Sequence, residues 1–240
     1  MARRFIYLGV LSIVAASIFI GRYLFVSHHH NVRAAVATSV PTLEYLTPFQ
    51  SAVLKDLQRQ IAAKIRYEPG YFSGGDPPPQ VGVCTDVVIQ SYRAAGVDLR
   101  QRVDVDIRQH RSAYNVRHPD RNIDYRRVRD LKVFFARDAI SLPTSGPHAD
   151  WRPADVVVWS SVSSGVPNHI GIVTDHLDAK GNPTVVHHTI DTMVCEMDWL
   201  HKFPIVAHFR WPKQGAALPQ PIAAKPPKPS INGAKLARAN

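Results

Sequence analysis

Cysteine is nearly absent from this 240-residue chain: Cys84 and Cys195 are the only two. There is no Cys-x-x-Cys, so the short ligand pair of a structural zinc site is missing, and a site drawn from Cys84 and scattered His has no such anchor. Acidic residues are missing from both ends. Residues 1–43 carry four Arg and no acid, and residues 211–240 carry Lys213, Lys225, Lys228, Lys235 and Arg238, again with no acid. The formal charge of +10 is therefore an end effect. Residues 44–210 hold 20 basic residues against all 19 acids, a net of +1. That near-neutral body excludes a duplex-binding footprint, and no nucleic-acid partner is expected. Basic ends suit an anionic membrane or a cell wall. There is no internal repeat either.

Long apolar runs are also lacking, with one exception. Arg3 and Arg4 precede an apolar stretch from residue 5 to residue 26, interrupted by Arg22. A basic start followed by an apolar run is the opening of a secretory signal. The stretch is also long enough to cross a bilayer with Arg22 reaching the interface. No Cys follows it for lipid attachment, and the nearest small-x-small stretch, Ala35-Val36-Ala37, lies well beyond it. The expectation is a signal anchor or signal peptide plus linker over 1–43, His28, His29 and His30 being linker. The following domain would then be periplasmic or otherwise extracytoplasmic, tethered to the inner membrane. The Pro- and Ala-rich tail, 212–240, is expected to be disordered.

Between these ends the pattern is helical first and strand-rich later. Thr47-Pro48 opens a helix with a capping residue and Pro at the first helical position. Val53, Leu54, Leu57, Ile61 and Ile65 repeat at helical spacing. After a Gly- and Pro-rich turn, Cys84, Val87, Val88, Ser91, Tyr92 and Ala95 share one helix face, and Gly96 ends the helix. Further helices are predicted at 99–110 and 128–137, in a stretch with ten Arg between 100 and 137 that reads as a solvated face paired with Asp. Strands are predicted at 155–159, 169–174, 184–190 and 205–211, with Gly181-Asn182-Pro183 as a hairpin connection. Helices followed by an antiparallel meander define an α+β domain over 44–211.

One position has the makings of a nucleophile. Cys84 falls at a helix start, where unpaired backbone N–H groups favour a thiolate and can hold an oxyanion. Activation needs an imidazole within reach and a third group to orient it. Strand alternation puts His169 with Gly171 and Val173 on one face. It puts His187 and His188 on opposite faces of the next strand, so either can stand beside His169. Asp86 and Asp155 read as structural, and a Cys84–Cys195 disulfide is left open.

Tyr71-Phe72-Ser73-Gly74-Gly75, Cys84, Arg152-Pro153-Ala154-Asp155 with its following strand, His169-Ile170-Gly171-Ile172 and Val186-His187 together resemble the NlpC-type cell-wall hydrolases, which are papain-like enzymes. More closely, Gly82-Val83-Cys84-Thr85-Asp86, Asn122-Ile123-Asp124-Tyr125-Arg126-Arg127-Val128 and the His-Ile-Gly-Ile-Val strand resemble domain-of-unknown-function family 1287, grouped with the same peptidases. The resemblance implies a papain-like fold with N-terminal helices packed on a mostly antiparallel sheet. It implies Cys84 as nucleophile, His169 as base and His187 as orienting residue. Tyr71, Thr85 and Asp86 are implied as substrate or oxyanion-site candidates, and no cofactor or metal is called for. The expected activity is cleavage of amide bonds, with peptidoglycan stem peptides as partner substrate. The alternatives are acyl transfer by the same residues or a non-catalytic envelope-binding module. Two departures stand out: Cys84-Thr85-Asp86 replaces Cys-Ser-Gly, and Ala154 replaces the Gly of Gly-Asp. Residues 97–150 form a long insertion between nucleophile and base.

Overall fold

Thr47 accepts the Gln50 N–H at 3.2 Å while Gln50 Oε1 accepts the Thr47 N–H at 2.9 Å. This reciprocal cap starts α1 (Pro48–Ala62), whose inward face carries Phe49, Val53 and Leu57. In the computed structural model, which describes residues 46–145, 151–162 and 165–212, two short parallel strands follow, β1 (Arg66–Tyr67) and β2 (Val81–Gly82). Then come α2 (Cys84–Ala94), α3 (Leu99–Gln109), α4 (Arg111–Tyr114), a 3-10 turn (Asp124–Arg126) and α5 (Val128–Asp138). Gly96, at φ +85°, ends α2 in the left-handed conformation that glycine adopts without strain.

The rest is strand: β3 (Ile140–Leu142), β4 (Val156–Trp159), β5 (His169–Leu177), β6 (Pro183–His187), β7 (Cys195–Met197) and β8 (Ile205–Arg210). They form one six-stranded sheet in the order β3-β8-β4-β5-β6-β7, and every pairing in it is antiparallel. The fold is α+β, helices plus antiparallel sheet, as the pattern predicts. Val156, Val158, Ile170, Ile172 and Val186 join the helical core with Val87, Val88 and Tyr92, while Trp151, Val157, Trp159, Val173, Val185 and Leu200 form a second cluster. Pleat alternation sends successive side chains to opposite sides of the sheet, which accounts for the two clusters.

Among the described residues no helix is long and apolar enough to cross a membrane. The expected membrane segment and linker, 1–43, and all but the first residue of the tail, 212–240, lie outside them. Much of the Arg-rich insertion is paired as expected, with Arg102–Asp138, Arg108–Asp104, Arg127–Asp124 and Arg137–Asp106 at 2.7–3.4 Å. A pair exposed on both sides, as Arg102–Asp138 is, contributes at most about 1 kcal/mol. Arg126 departs from that reading, because its side chain is buried.

Candidate functional site

β2 delivers the chain to Val83, and Cys84 is the first helical residue. Asp86 Oδ2 accepts the Val83 N–H at 2.8 Å, capping the helix. A Cβ on Gly82 would stand 3.2 Å from Asp86 Cβ and Oδ2, so this approach of the carboxylate depends on glycine. Asp86 also accepts from Nε and Nη2 along one edge of the Arg126 guanidinium, each at 2.8 Å. Arg126 in turn donates to Gly70 O at 2.8 Å, and its own carbonyl accepts the Thr85 hydroxyl at 3.0 Å. Thr85-Asp86 and the 3-10 turn Asp124–Arg126 are thus two halves of one junction. Both side chains proposed as oxyanion-site candidates, Thr85 and Asp86, are committed to it.

Cys84 is buried, and its thiol is pushed up to about 12 by that burial. The backbone N–H of Ile170 pulls it down, the Asp86 charge pushes it up, and the N–H groups of Thr85 and Cys84 pull it down. The helix-start effect expected from sequence is therefore present, but burial outweighs it. Cys84 and Cys195 are both free thiols, so no disulfide joins them.

The imidazoles meet as one of the two sequence alternatives requires. His169 Nε2 lies 3.0 Å from His187 Nδ1, with the rings edge to face. The register Ile172↔Val186, carried one residue along each strand, sets Gly171 opposite His187 and brings His169 onto its diagonal. Each ring has its own indole: Trp159 stacks on His169 at 5.4 Å, and Trp199 stacks on His187 at 4.6 Å. Trp159 is fixed by donation from Nε1 to Leu200 O at 2.9 Å. A Cβ on Gly171 would stand 3.1 Å from the Trp159 ring and 3.0 Å from Val186 O, so this glycine is what admits the indole.

Burial, and next the neighbouring His188, holds His169 down to about 4; burial, His169 and His188 hold His187 down to about 3. Both are neutral near pH 7. His188 turns to the other side of the strand, where its ring meets Tyr67 at 5.2 Å and both its nitrogens are buried without a hydrogen bond. Among the described residues no hydrogen bond joins Cys84 Sγ to either catalytic candidate. The link between them is Ile170, the residue after His169, whose N–H acts on the sulfur.

Tyr71 is 58% exposed, and its hydroxyl accepts from Asn122 Nδ2 at 3.3 Å. The tyrosine that interacts with Cys84 is Tyr67, whose phenol is raised by burial and then by the charges of Cys84 and Asp86. Sequence reading missed it; the available signal was the strand-prone pair Arg66-Tyr67 ahead of the Gly/Pro turn. A cavity of about 260 Å³ flanks the start of α2, lined among others by Gln60, Asp76, Val83, Asp86, Gln90 and His188. Among the described residues no cluster of three or more His, Cys, Asp or Glu is placed to hold a metal.

With a buried thiol at a helix start and a histidine pair on the adjoining sheet, the molecule is an α+β domain with a candidate cysteine–histidine centre. The family model described as "Domain of unknown function (DUF1287)" matches residues 52–211, and the chain belongs to that family. It is 35% identical over 168 residues to the uncharacterized protein YijF of Escherichia coli (strain K12), a match covering 67% of this chain and 80% of that protein.

Proposed function

We propose that this protein is an exported, membrane-tethered cysteine hydrolase of the NlpC-type, papain-like kind, acting on amide bonds. The observation that carries the reading is the 3.0 Å contact from His169 Nε2 to His187 Nδ1. It leaves His169 Nδ1 as the nitrogen available to a thiol, on the residue next to the one whose N–H acts on Cys84. In the tautomer this requires, His169 Nε2–H donates to His187. Cys84 Sγ attacks the carbonyl carbon while its proton passes to His169 Nδ1. The tetrahedral adduct then collapses with loss of the C–N bond, and the amine leaves with that proton. Water attacks the thioester, releasing acid and restoring the thiol; an amine acceptor in place of water would give acyl transfer. Because thiol and imidazole are both neutral at rest, the proton moves as the S–C bond forms. The short Cys–His contact belongs to the substrate complex, since such contacts tighten on binding.

The order of motifs and the apolar N-terminal segment support an envelope substrate, and we take peptidoglycan stem peptides as the class. That step rests on likeness of family and fold. The buried, high-pKa thiol favours a second reading, an envelope-binding module that does not turn over. Incubating purified muropeptides with the full chain and with Cys84→Ser, followed by mass spectrometry, separates the two. New amide-cleavage products from the wild type alone support hydrolysis. Binding without products from either chain would leave the module, and equal products from both would remove Cys84 from the chemistry.

A further inference from the structure

We propose that the pocket walled by Trp199, which backs onto His187 but is lined by neither Cys84 nor His169, binds a saccharide ring. The pocket has a volume of about 290 Å³, and its lining includes Trp199, Lys180, Asn182, Asp198 and Lys202. That is at the small end of ligand sites, which run from about 300 to 1,000 Å³, and suits one or two rings better than an extended chain. Trp199 is half-buried. One face of its indole stacks on His187 at 4.6 Å, and its ring meets Phe203 edge-on at 5.6 Å. Held on those sides, the indole is a rigid wall for the pocket, and a fixed aromatic surface costs little entropy when it binds.

The hairpin turn between β5 and β6 also lines the pocket, through Asp178, Lys180 and Asn182. Asp178 Oδ1 accepts the N–H groups of Lys180 and Asn182, both at 2.8 Å, and Oδ2 accepts Asn182 Nδ2 at 2.9 Å. The turn is thereby locked, with Asp178 consumed and the Asn182 side-chain carbonyl left over as an acceptor. Among the described residues the side chains of Lys180, Lys202 and Asp198 form no salt bridge, and Trp199 Nε1 has no hydrogen-bond partner. The pocket thus offers a flat apolar face, several donors and at least two acceptors. Two Lys and two Asp leave these four side chains without net charge, which disfavours a phosphate or a polyanion. A pyranose has the complementary form, one face of C–H groups and a rim of hydroxyls that both donate and accept.

This inference goes beyond the hydrolase reading and does not depend on it. The test is calorimetric titration of the full chain with an N-acetylglucosamine trisaccharide, with tryptophan emission followed in parallel. Inorganic phosphate and a sugar-free tetrapeptide serve as separate arms. The expected result is saturable saccharide binding that alters tryptophan emission, with no saturable signal from the other two. Asp198→Ala with Lys202→Ala, both exposed and checked for an unchanged melting curve, should weaken binding about tenfold, the equivalent of one or two hydrogen bonds. Trp199→Phe, which keeps a ring on His187, should remove the emission change, and Cys84→Ser should bind as the wild type does. No saturable saccharide binding, binding undiminished in the Asp198/Lys202 variant, or competition by phosphate would overturn the proposal.

Discussion

His169 is held in place by what Gly171 lacks. Trp159 lies 3.1 Å from where a Cβ on Gly171 would stand, and the indole in turn covers the His169 ring. Gly171→Ala should therefore push Trp159 aside and cost about 1–3 kcal/mol, as overpacking of a tight core does. The urea midpoint should fall, and any Cys84-dependent turnover should fall further than stability alone explains. The motif His-Ile-Gly-Ile is visible in the sequence, but the reason for its glycine is not, because it resides in Trp159, twelve positions away on another strand. The choice between His187 and His188 was likewise open until the β5–β6 register fixed which imidazole shares a face with His169. Tyr67 escaped notice because a two-residue strand has no periodicity to read, whereas Tyr71 stood in a recognisable motif. Ala154 adopts φ +70°, the left-handed conformation natural to the glycine that the resembled Gly-Asp motif carries at this position.

At the level of elements, the start of α2 and the 3-10 turn Asp124–Arg126 stand or fall together. The Arg126–Asp86 pair is buried on both sides, and breaking such a pair leaves an uncompensated charge. Arg126→Met should cost about 3–5 kcal/mol, measured by chemical denaturation. Asp86→Asn should also destabilise, but it removes a charge that pushes the Cys84 thiol up. Its alkylation profile should move to lower pH than that of the wild type, the opposite of what a purely structural lesion gives. At α1, Thr47→Ala removes one half of a reciprocal cap and should cost about 1 kcal/mol. That cap was legible, as were α2, α3, α5 and the four longer strands, because each has enough residues to display its period. The three-residue strands β3 and β7 and the pair β1 and β2 do not. Arg126 looked like one of ten similar arginines, and only the fold distinguishes the buried one.

Across the whole molecule, the buried imidazoles set a pH dependence with a definite sign. His169 near 4 and His187 near 3 lie below the ordinary 6.5, so the unfolded chain binds more protons between those values. Stability should therefore rise with pH over that window and be lost on acidification from about 6.5 downward. Asp130, pushed up to about 6 by burial, works in the opposite direction but is common to wild type and variant. His187→Gln should flatten the variant's own rise of stability with pH, so the advantage of the wild type over the variant should grow with pH across the window, read from melting temperatures at stepped pH.

The central claim is that His169 serves Cys84 as a base, and it is tested most directly by alkylation. The full chain and its His169→Ala variant are treated with iodoacetamide at neutral pH, and labelling of Cys84 is followed by peptide mass, separately from Cys195. The account predicts slow labelling in the wild type, because the thiol is buried and pushed up to about 12. It predicts labelling slower again by about 100-fold without His169, the low end of what general-base assistance contributes. Equal or faster labelling of the His169→Ala chain would contradict it.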